Sequence, residues 1–435
     1  MPLISLAMIV KNEEATLAHC LESVKPLVDE MVVVDTGSTD KTIEIAKGFG
    51  AKIYHFDWCD DFSAARNESL KHCTGDWVLI LDADEAIDPL DYEKVFEACT
   101  NPFADGYALT HRNYLSSSNL ASQDSAPVPN TSIYNEGKNL PFYADTETLR
   151  LAKNCASLAF DGKVHESLRL SIVSGGGSIS KLNAVIHHYG KLFADREQYK
   201  TAYYLMLARN EAEKKPADKY ALFNLLQQAL NAGEWETAVD AAMKSLNVGH
   251  GDEPLITFGA GLALQQLDRH VEAIEYFDLL LDKYPSHALG KLRKGSSYMS
   301  LGNFNEGRLL MMEAIELEPC VVQSYGCLAE LELGVNNIGA ARNIALEALK
   351  LAPNEPDIYS LLLNAEVADN NYGEATRYAL MGIENCPGRG KAVWYRVASA
   401  YLLKEGQLES GRSILESGLE AFPNDPELNR LKGLV

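Results

Sequence analysis

Apolar and polar positions follow two different rhythms along this chain. Leu3 to Val10 is an apolar run of strand length, and Leu17, Leu21 and Val24 then recur at helical spacing. Met31 to Val34 reads as a second buried strand. It runs into Asp35-Thr36-Gly37-Ser38-Thr39-Asp40, where the glycine suits a turn and Ser38, Thr39 or Asp40 suits a helix N-cap. A helix follows, then a third strand over Ala51 to Phe56, a helix over Phe62 to His72, and a fourth strand over Trp77 to Leu81. Strands alternating with helices predict a mostly parallel sheet covered by helices on both faces. No G-x-G-x-x-G follows the first strand, which argues against a dinucleotide dehydrogenase.

The second half changes rhythm. Pro285, Pro319, Pro353 and Pro387 are spaced by 34 residues each. Trp235, Phe304, Ile338, Tyr372 and Leu408 form a parallel apolar series, and each is followed three residues later by Ala238, Gly307, Ala341, Ala375 or Gly411. Small residues at fixed helical positions let paired helices approach closely. A 34-residue period closed by proline resembles the tetratricopeptide repeat, with about six units between Lys219 and Pro426 and atypical units at the ends. Such an array either packs only on itself, or offers a concave groove to a peptide, or serves as a homodimer interface.

The remaining stretches complete a domain plan. Residues 1–192 are expected to form the sheet domain, 193–215 a linker helix, and 216–435 the repeats. Tyr114 to Glu147 is rich in Ser, Asn, Pro and Asp and weakly periodic, so it reads as a long loop, either a mobile lid or a disordered insertion. Asp195 to Lys214 reads as one helix with Tyr199, Tyr203 and Leu207 on one face.

Charge and composition narrow the partners. The net charge of −22 argues against nucleic acid and against anionic lipid bound by charge alone. No apolar run reaches spanning length, so no integral membrane segment is expected. Met1-Pro2 leads straight into the first strand, so no signal peptide is expected either. The eight cysteines show no zinc-type pairing and are consistent with reduced thiols in the cytoplasm.

The chemistry gathers at the fourth strand. Its apolar run ends in Asp82-Ala83-Asp84, two carboxylates one residue apart at the end of a strand, where open α/β sheets bind ligands. Paired hard oxygen ligands suit Mg²⁺ or Mn²⁺, which usually arrive with a substrate's phosphates. Acidic residues at a strand end also make ordinary turns. Together, "SLAMIVKNEE", "DEMVVVDTGSTDKTIEIAKGFGAKIYHF", "DFSAARNESL" and "GDWVLILDADE" resemble the inverting glycosyltransferases of family 2, which have the GT-A fold. The resemblance covers roughly the first two-fifths of the chain. Leu149-Arg150-Leu151, Phe160 to Glu166 and Ile186 to Gly190 further resemble a subgroup that glycosylates lipopolysaccharide cores or bacteriocin peptides. The fold class implied is thus an α/β GT-A domain followed by an all-α tetratricopeptide-repeat solenoid.

The resemblance implies a nucleotide-sugar donor, with a uridine diphosphate sugar foremost, and a peptide, protein, glycan or lipid-linked acceptor. It places Asp84, His188 and Asp82 at the metal, with Asp82 acting through water or on the ribose or sugar. Val10, Asn12, Glu13, Asp35, Arg66, Asp82, Ala83 and Arg150 fall at nucleotide-sugar positions. For several of these a structural role competes: Asp35 as an N-cap or turn aspartate, Arg66 as a partner of Asp60, Asp61 or another local acid, His188 as a half-buried histidine bonded to backbone. His187 is expected to point to the opposite sheet face.

An inverting transfer also needs a base on the acceptor side of the sugar. Glu166 is the first candidate, since a carboxylate in a semi-closed cleft can be tuned towards the working range. Asp145 is the second, because in many relatives a base precedes a segment like Leu149-Arg150-Leu151. His165 would serve if the acceptor were a thiol, and Arg150 would alternatively hold Glu166 or the pyrophosphate. A nucleotidyltransferase on a related sheet is disfavoured by "KNEEATL" in place of a Gly-rich loop. A non-catalytic repeat scaffold with a degenerate transferase domain is the alternative of a different class.

Overall fold

The structure, a computed structural model, describes residues 2–117, 126–164, 166–192, 194–249, 253–386 and 390–433, and of residues 194–199 only the backbone. His165, Pro387 and the side chain of Tyr199 lie outside the described residues. The chain divides into two compact units. Apart from short pieces of the 117–129 segment, the first holds residues up to Ser116 with Asn130–Leu267, and the second holds Asp268–Val435. The division therefore falls inside the repeat array.

In chain order the strands are β1 (Ile4–Val10), β2 (Glu30–Asp35), β3 (Lys52–His55), β4 (Trp77–Ile80), β5 (Glu85–Ile87), β6 (Gly106–Leu115), β7 (Val128–Pro129), β8 (Phe142–Lys153) and β9 (Ile179–His188), and all but β7 lie in the first unit. The sheet runs in the order β3-β2-β1-β4-β8-β6-β9-β5. Strands β1 to β4 are mutually parallel, as their alternation with helices α1 (Leu17–Val24), α2 (Thr42–Gly48) and α3 (Phe62–Lys71) requires. Beyond β4 the sheet turns mixed: β8 runs antiparallel to β4 and β6, and β5 antiparallel to β9.

The period of two in β1 separates two cores. Ile4, Leu6, Met8 and Val10 pack with Leu17, Leu21 and Val24 of α1, while Ala7 joins Val32, Val78, Ile80, Leu70 and Phe160 on the other face. Each face is closed by its own helices, so both alternating sets are buried, the second with Ser5 satisfied by Glu30 and the Gly75 N–H.

The stretch from Tyr114 to Glu147, read as one long loop, is partly strand. Tyr114 and Leu115 end β6, and Phe142 to Glu147 begin β8. The polar sequence Ala144-Asp145-Thr146-Glu147-Thr148 hides that strand because its side chains are half-buried or exposed rather than core.

Helices α4 (Tyr92–Thr100), α5 (Arg169–Ser174), α6 (Ala194–Lys214), α7 (Lys219–Ala232), α8 (Trp235–Asn247) and α9 (Pro254–Gln266) complete the first unit. Asn224 on α7 donates to the Val164 carbonyl at 3.0 Å, tying the first repeat helix to the sheet domain.

The second unit starts with α10 (His270–Lys283). It continues with α11 (Ala288–Ser300) and α12 (Phe304–Leu317), α13 (Val322–Gly334) and α14 (Ile338–Leu351), α15 (Pro356–Ala368) and α16 (Tyr372–Asn385), α17 (Ala392–Lys404) and α18 (Leu408–Ala421), then α19 (Pro426–Lys432). Phe304, Ile338, Tyr372 and Leu408 each open the second helix of a pair. The small residue three later sits at the crossing. A Cβ on Gly295 of α11 would come within 2.9 Å of the Gly307 carbonyl oxygen of α12.

The 34-residue period is also electrostatic. Arg308 pairs with Glu332, and Arg342 with Glu366 at 2.5 Å; both glutamates are buried and also accept from Asn337 and Asn371. A buried carboxylate so satisfied fixes the register of neighbouring helices. Between the helices of a pair the backbone turns left-handed at Gly302, Asn336, Asn370 and Gly406, residues that tolerate that conformation.

Candidate active site

The turn between β4 and β5 carries Asp82, Ala83 and Asp84 out of the sheet. Its shape is set by Glu85, whose side chain is 1% exposed. Glu85 accepts the Asp82 backbone N–H at 2.8 Å, Arg150 Nη2 at 2.7 Å and His111 Nε2 at 2.6 Å. A buried carboxylate with three donors is well satisfied and holds the turn rigid.

Asp82 faces two guanidiniums. Arg66 Nη2 donates to Oδ1 at 2.5 Å and Arg150 Nη2 to Oδ2 at 3.0 Å. Burial alone would raise its pKa, but the two arginines prevail and hold the carboxyl well below the usual range. Asp82 is thus already neutralised by protein cations. Arg66 does not pair with Asp60 or Asp61. It lies over Phe160 and gives its Nε to Glu166, while Asp61 caps α3 through the Ala64 N–H at 3.0 Å.

Asp84 has a different neighbour. Its Oδ2 is 3.6 Å from His188 Nε2, and both side chains are under a fifth exposed. His188 lies in β9, whose pairing with β5 sets it opposite Glu85. Asn113 Oδ1 is 2.8 Å from His188 Nδ1. An amide oxygen only accepts, so Nδ1 carries the proton and Nε2 turns towards Asp84. Burial works against charge on both groups, yet their attraction prevails, lowering the pKa of Asp84 and raising that of His188.

A Cβ on Gly190 would come within 2.5 Å of His188 Nε2 and 2.6 Å of Asp84 Oδ2, so glycine keeps the space between them open. An imidazole nitrogen and a carboxylate converging on open space, with the Asn113 amide behind the imidazole fixing its tautomer, fit a divalent cation. Among the described residues no group of three His, Cys, Asp or Glu closes a metal cage. A cation such as Mg²⁺ that keeps waters and takes substrate phosphates needs no such cage.

The two base candidates are held differently. Arg66 engages Oε1 of Glu166. Asp145 has both oxygens in a bidentate pair with Arg112, Nε to Oδ1 at 2.8 Å and Nη2 to Oδ2 at 2.7 Å, and Arg112 stacks on Tyr143 at 3.7 Å.

The nucleotide positions at the ends of β1 and β2 form a stitched pair of loops. Val10 is buried, and its carbonyl accepts from the Thr36 N–H at 3.0 Å. Asn12 is left-handed with φ 56°, its N–H bonds Ser38 Oγ, and its Oδ1 accepts the Thr39 N–H at 2.7 Å. The Glu13 N–H bonds Thr42 Oγ1 at 2.7 Å. Asp35 accepts the N–H groups of Gly37 and Ser38 and is 3% exposed, so its carboxylate shapes its own turn. Ala83 is buried beneath the Asp82–Asp84 turn.

His187 indeed points away from His188. It is fully buried against Tyr114, whose hydroxyl donates to the Glu136 carbonyl at 2.7 Å and sits 2.8 Å from His187 Nδ1. Among the described residues its Nε2 has no partner. Burial pushes the His187 pKa down to about 4. Between pH 6.5 and 4 the unfolded chain therefore binds a proton that the native state refuses, so stability falls as pH falls through this window. His187→Phe is expected to shrink the stability difference between pH 7.5 and pH 4.5 by about 2.5 kcal/mol. Urea titrations at the two pH values measure this, and an unchanged difference would contradict it.

Comparison with known proteins shows what these residues are similar to. Residues 5–157 match the family model "Glycosyl transferase family 2", and residues 223–288 and 291–319 match tetratricopeptide repeat models. The N-terminal part thus matches a family 2 glycosyltransferase model, and the part behind it matches tetratricopeptide repeats. It is 57% identical over 84 residues to a TPR repeat-containing protein of Synechococcus elongatus, covering 19% of this chain and 21% of that one. It is 44% identical over 84 residues to an uncharacterized glycosyltransferase of Rickettsia typhi, covering 19% and 28%. It is 26% identical over 301 residues to the SPbeta prophage-derived glycosyltransferase SunS of Bacillus subtilis, covering 65% and 64%. The chain thus spans under a third of the first of these curated relatives and just under two thirds of SunS.

Glu85, His111 and Asn113 belong to the site but not to the residues expected there. Glu85 directly follows the Asp82-Ala83-Asp84 turn, which is the one signal for it. His111 and Asn113 reach the site only through the pairing of β6 with β9, which sets Asn113 opposite His188.

Proposed function

We propose that this chain is an inverting, metal-assisted glycosyltransferase. It would move a sugar from a nucleotide-sugar donor, a uridine diphosphate sugar foremost, to a peptide, protein, glycan or lipid-linked acceptor. The observation that carries this reading is the convergence of Asp84 and His188 beside an Asp82 already neutralised by Arg66 and Arg150. Asp84 and His188 would hold Mn²⁺ or Mg²⁺, which neutralises charge developing on the leaving diphosphate. Asp82 would then orient the two guanidiniums and meet the donor's ribose or sugar.

Glu166 remains the first candidate for the base. Arg66 takes its Oε1, whereas Arg112 occupies both oxygens of Asp145. The repeats suit a protein or peptide acceptor or a second copy of the chain, and the acidic balance suits neither nucleic acid nor anionic lipid. Among the described residues no helix is long and apolar enough to cross a membrane, in keeping with a cytoplasmic setting.

The test is release of nucleoside diphosphate from a panel of nucleotide sugars by purified protein. Release by wild type but not by Asp84→Ala supports the reading. No release from any donor would favour a non-catalytic scaffold. Glu166→Gln should cut turnover at least 100-fold while leaving nucleotide affinity within a few fold, and Asp145→Asn should have the milder effect. Wild-type turnover in Glu166→Gln with a collapse in Asp145→Asn would reverse the assignment.

A further inference from the structure

The loop that carries Glu166 is anchored bond by bond. Five consecutive carbonyls, Phe160 to Val164, lead up to it, and each accepts from a donor. Asn67 Nδ2 donates to the Phe160 carbonyl at 3.0 Å, and the Phe160 N–H donates back to Asn67 Oδ1 at 2.7 Å. The Ser167 N–H donates to the Asp161 carbonyl at 2.9 Å, closing the loop on itself. Ser63 Oγ donates to the Gly162 carbonyl, and the Phe62 N–H to that of Lys163 at 3.0 Å. Phe62, Ser63 and Asn67 all stand on α3, the helix whose Arg66 also donates to Glu166 Oε1.

The Val164 carbonyl, the last of the five before Glu166, is served from elsewhere. Its donor is Asn224 Nδ2 of α7 at 3.0 Å, and both residues are buried. Asn224 falls within residues 223–288, which match a tetratricopeptide repeat model. Asparagine is a weak helix former and costly to bury without a partner, so the bond to Val164 accounts for its place on α7. The helix itself is fixed at its start, where the Asp218 side chain accepts the Ala221 N–H at 2.8 Å. Without Asn224 the Val164 carbonyl would be a buried acceptor left unmet, and the segment would shift to meet it.

We infer that Asn224 is a positioning residue for the transfer, so that the first repeat helix sets where Glu166 stands. This rests on the reading of Glu166 as the base. With water as acceptor, the water oxygen bonds the anomeric carbon and its proton passes to Glu166. The nucleoside diphosphate leaves with the electron pair of the broken carbon–oxygen bond. A base must lie within hydrogen-bond reach of the proton it takes. A misplacement of about 1 Å from a remote change can cost ~100-fold in rate. The loops at the ends of β1 and β2 are stitched to each other, so the nucleotide positions there should not respond.

Nucleoside diphosphate release from UDP-glucose, UDP-N-acetylglucosamine, GDP-mannose and dTDP-glucose tests this on the full chain, using the sugar nucleotide that wild type turns over fastest. Asn224→Ala removes the amide and keeps a good helix former. It is expected to lower kcat about tenfold and to leave calorimetric affinity for the released diphosphate nearly unchanged. In the Glu166→Gln background the same change should lower the residual turnover by less than about twofold, because the group it positions is already gone. Asn224→Gln keeps an amide there, displaced by a methylene, and carries the same cycle with a smaller loss if Asn224→Ala does not fold. Equal slowing in both backgrounds overturns the inference, since Asn224 would then act on something other than Glu166. Unchanged kcat, or a loss of diphosphate affinity equal to the loss of kcat, also overturns it. Wild-type turnover in Glu166→Gln overturns the base reading, and no release by wild type overturns the transferase reading; this inference falls with either.

Discussion

Asp84→Ala is expected to lower nucleotide-sugar turnover by about a thousandfold or more, the scale of losing a charge that stabilises a leaving group. Stability should change little. Among the described residues Asp84 makes one ion pair, with His188 at 3.6 Å, rather than a network of them. His188→Ala should act in the same direction but less, since it removes a neutral ligand. The measurement is turnover at saturating Mn²⁺ together with the urea midpoint of each variant. A variant that is inactive because it is unfolded would contradict the assignment, as would an Asp84→Ala enzyme that turns over normally.

Arg66→Met should have the opposite profile, a loss of fold as well as of activity. Arg66 is 6% exposed and joins Asp82 of the β4–β5 turn to Glu166. Removing one member of a buried ion network leaves carboxylates without compensation, which costs about 3–5 kcal/mol. Asp82 keeps Arg150, so the unpaired charge falls mainly on Glu166. Adding Glu166→Gln to Arg66→Met should therefore recover part of the lost stability. Urea titration of the single and double variants measures the coupling. Strict additivity would mean that Arg66 and Glu166 do not act on each other.

The parts of this molecule that repeat or alternate were legible in its sequence. Strands β1 to β4 alternate with helices, and each lies within a residue or two of its apolar run. The 34-residue period marks helix starts at Phe304, Ile338, Tyr372 and Leu408. Strand β8 was not legible as a strand: only Leu149-Arg150-Leu151 stood out, as a motif, and the first half pairs in the sheet with half-buried polar side chains. The short β5 was absorbed into the acidic motif for a related reason: its three residues owe their place to pairing with β9.

The site followed the same rule. Residues on one motif, Asp82 and Asp84, were named together from spacing. Residues brought in by strand register, His111 and Asn113, had no local signal. Arg66 was read as a choice between phosphate and local acids, yet its partners, Asp82 and Glu166, are 16 and 100 residues away. Helix α6 was read as a connector because no periodicity reveals that Tyr203 and Tyr204 seat against Trp58 and Phe62 of the sheet domain.

The most direct test of the account is nucleoside diphosphate release from nucleotide sugars, followed as the divalent cation is removed and returned. Wild-type protein is expected to lose turnover in excess chelator and to regain it on adding Mn²⁺ or Mg²⁺, while Asp84→Ala stays inactive throughout. Full turnover in excess chelator would contradict the central claim that Asp84 and His188 serve a metal-assisted transfer.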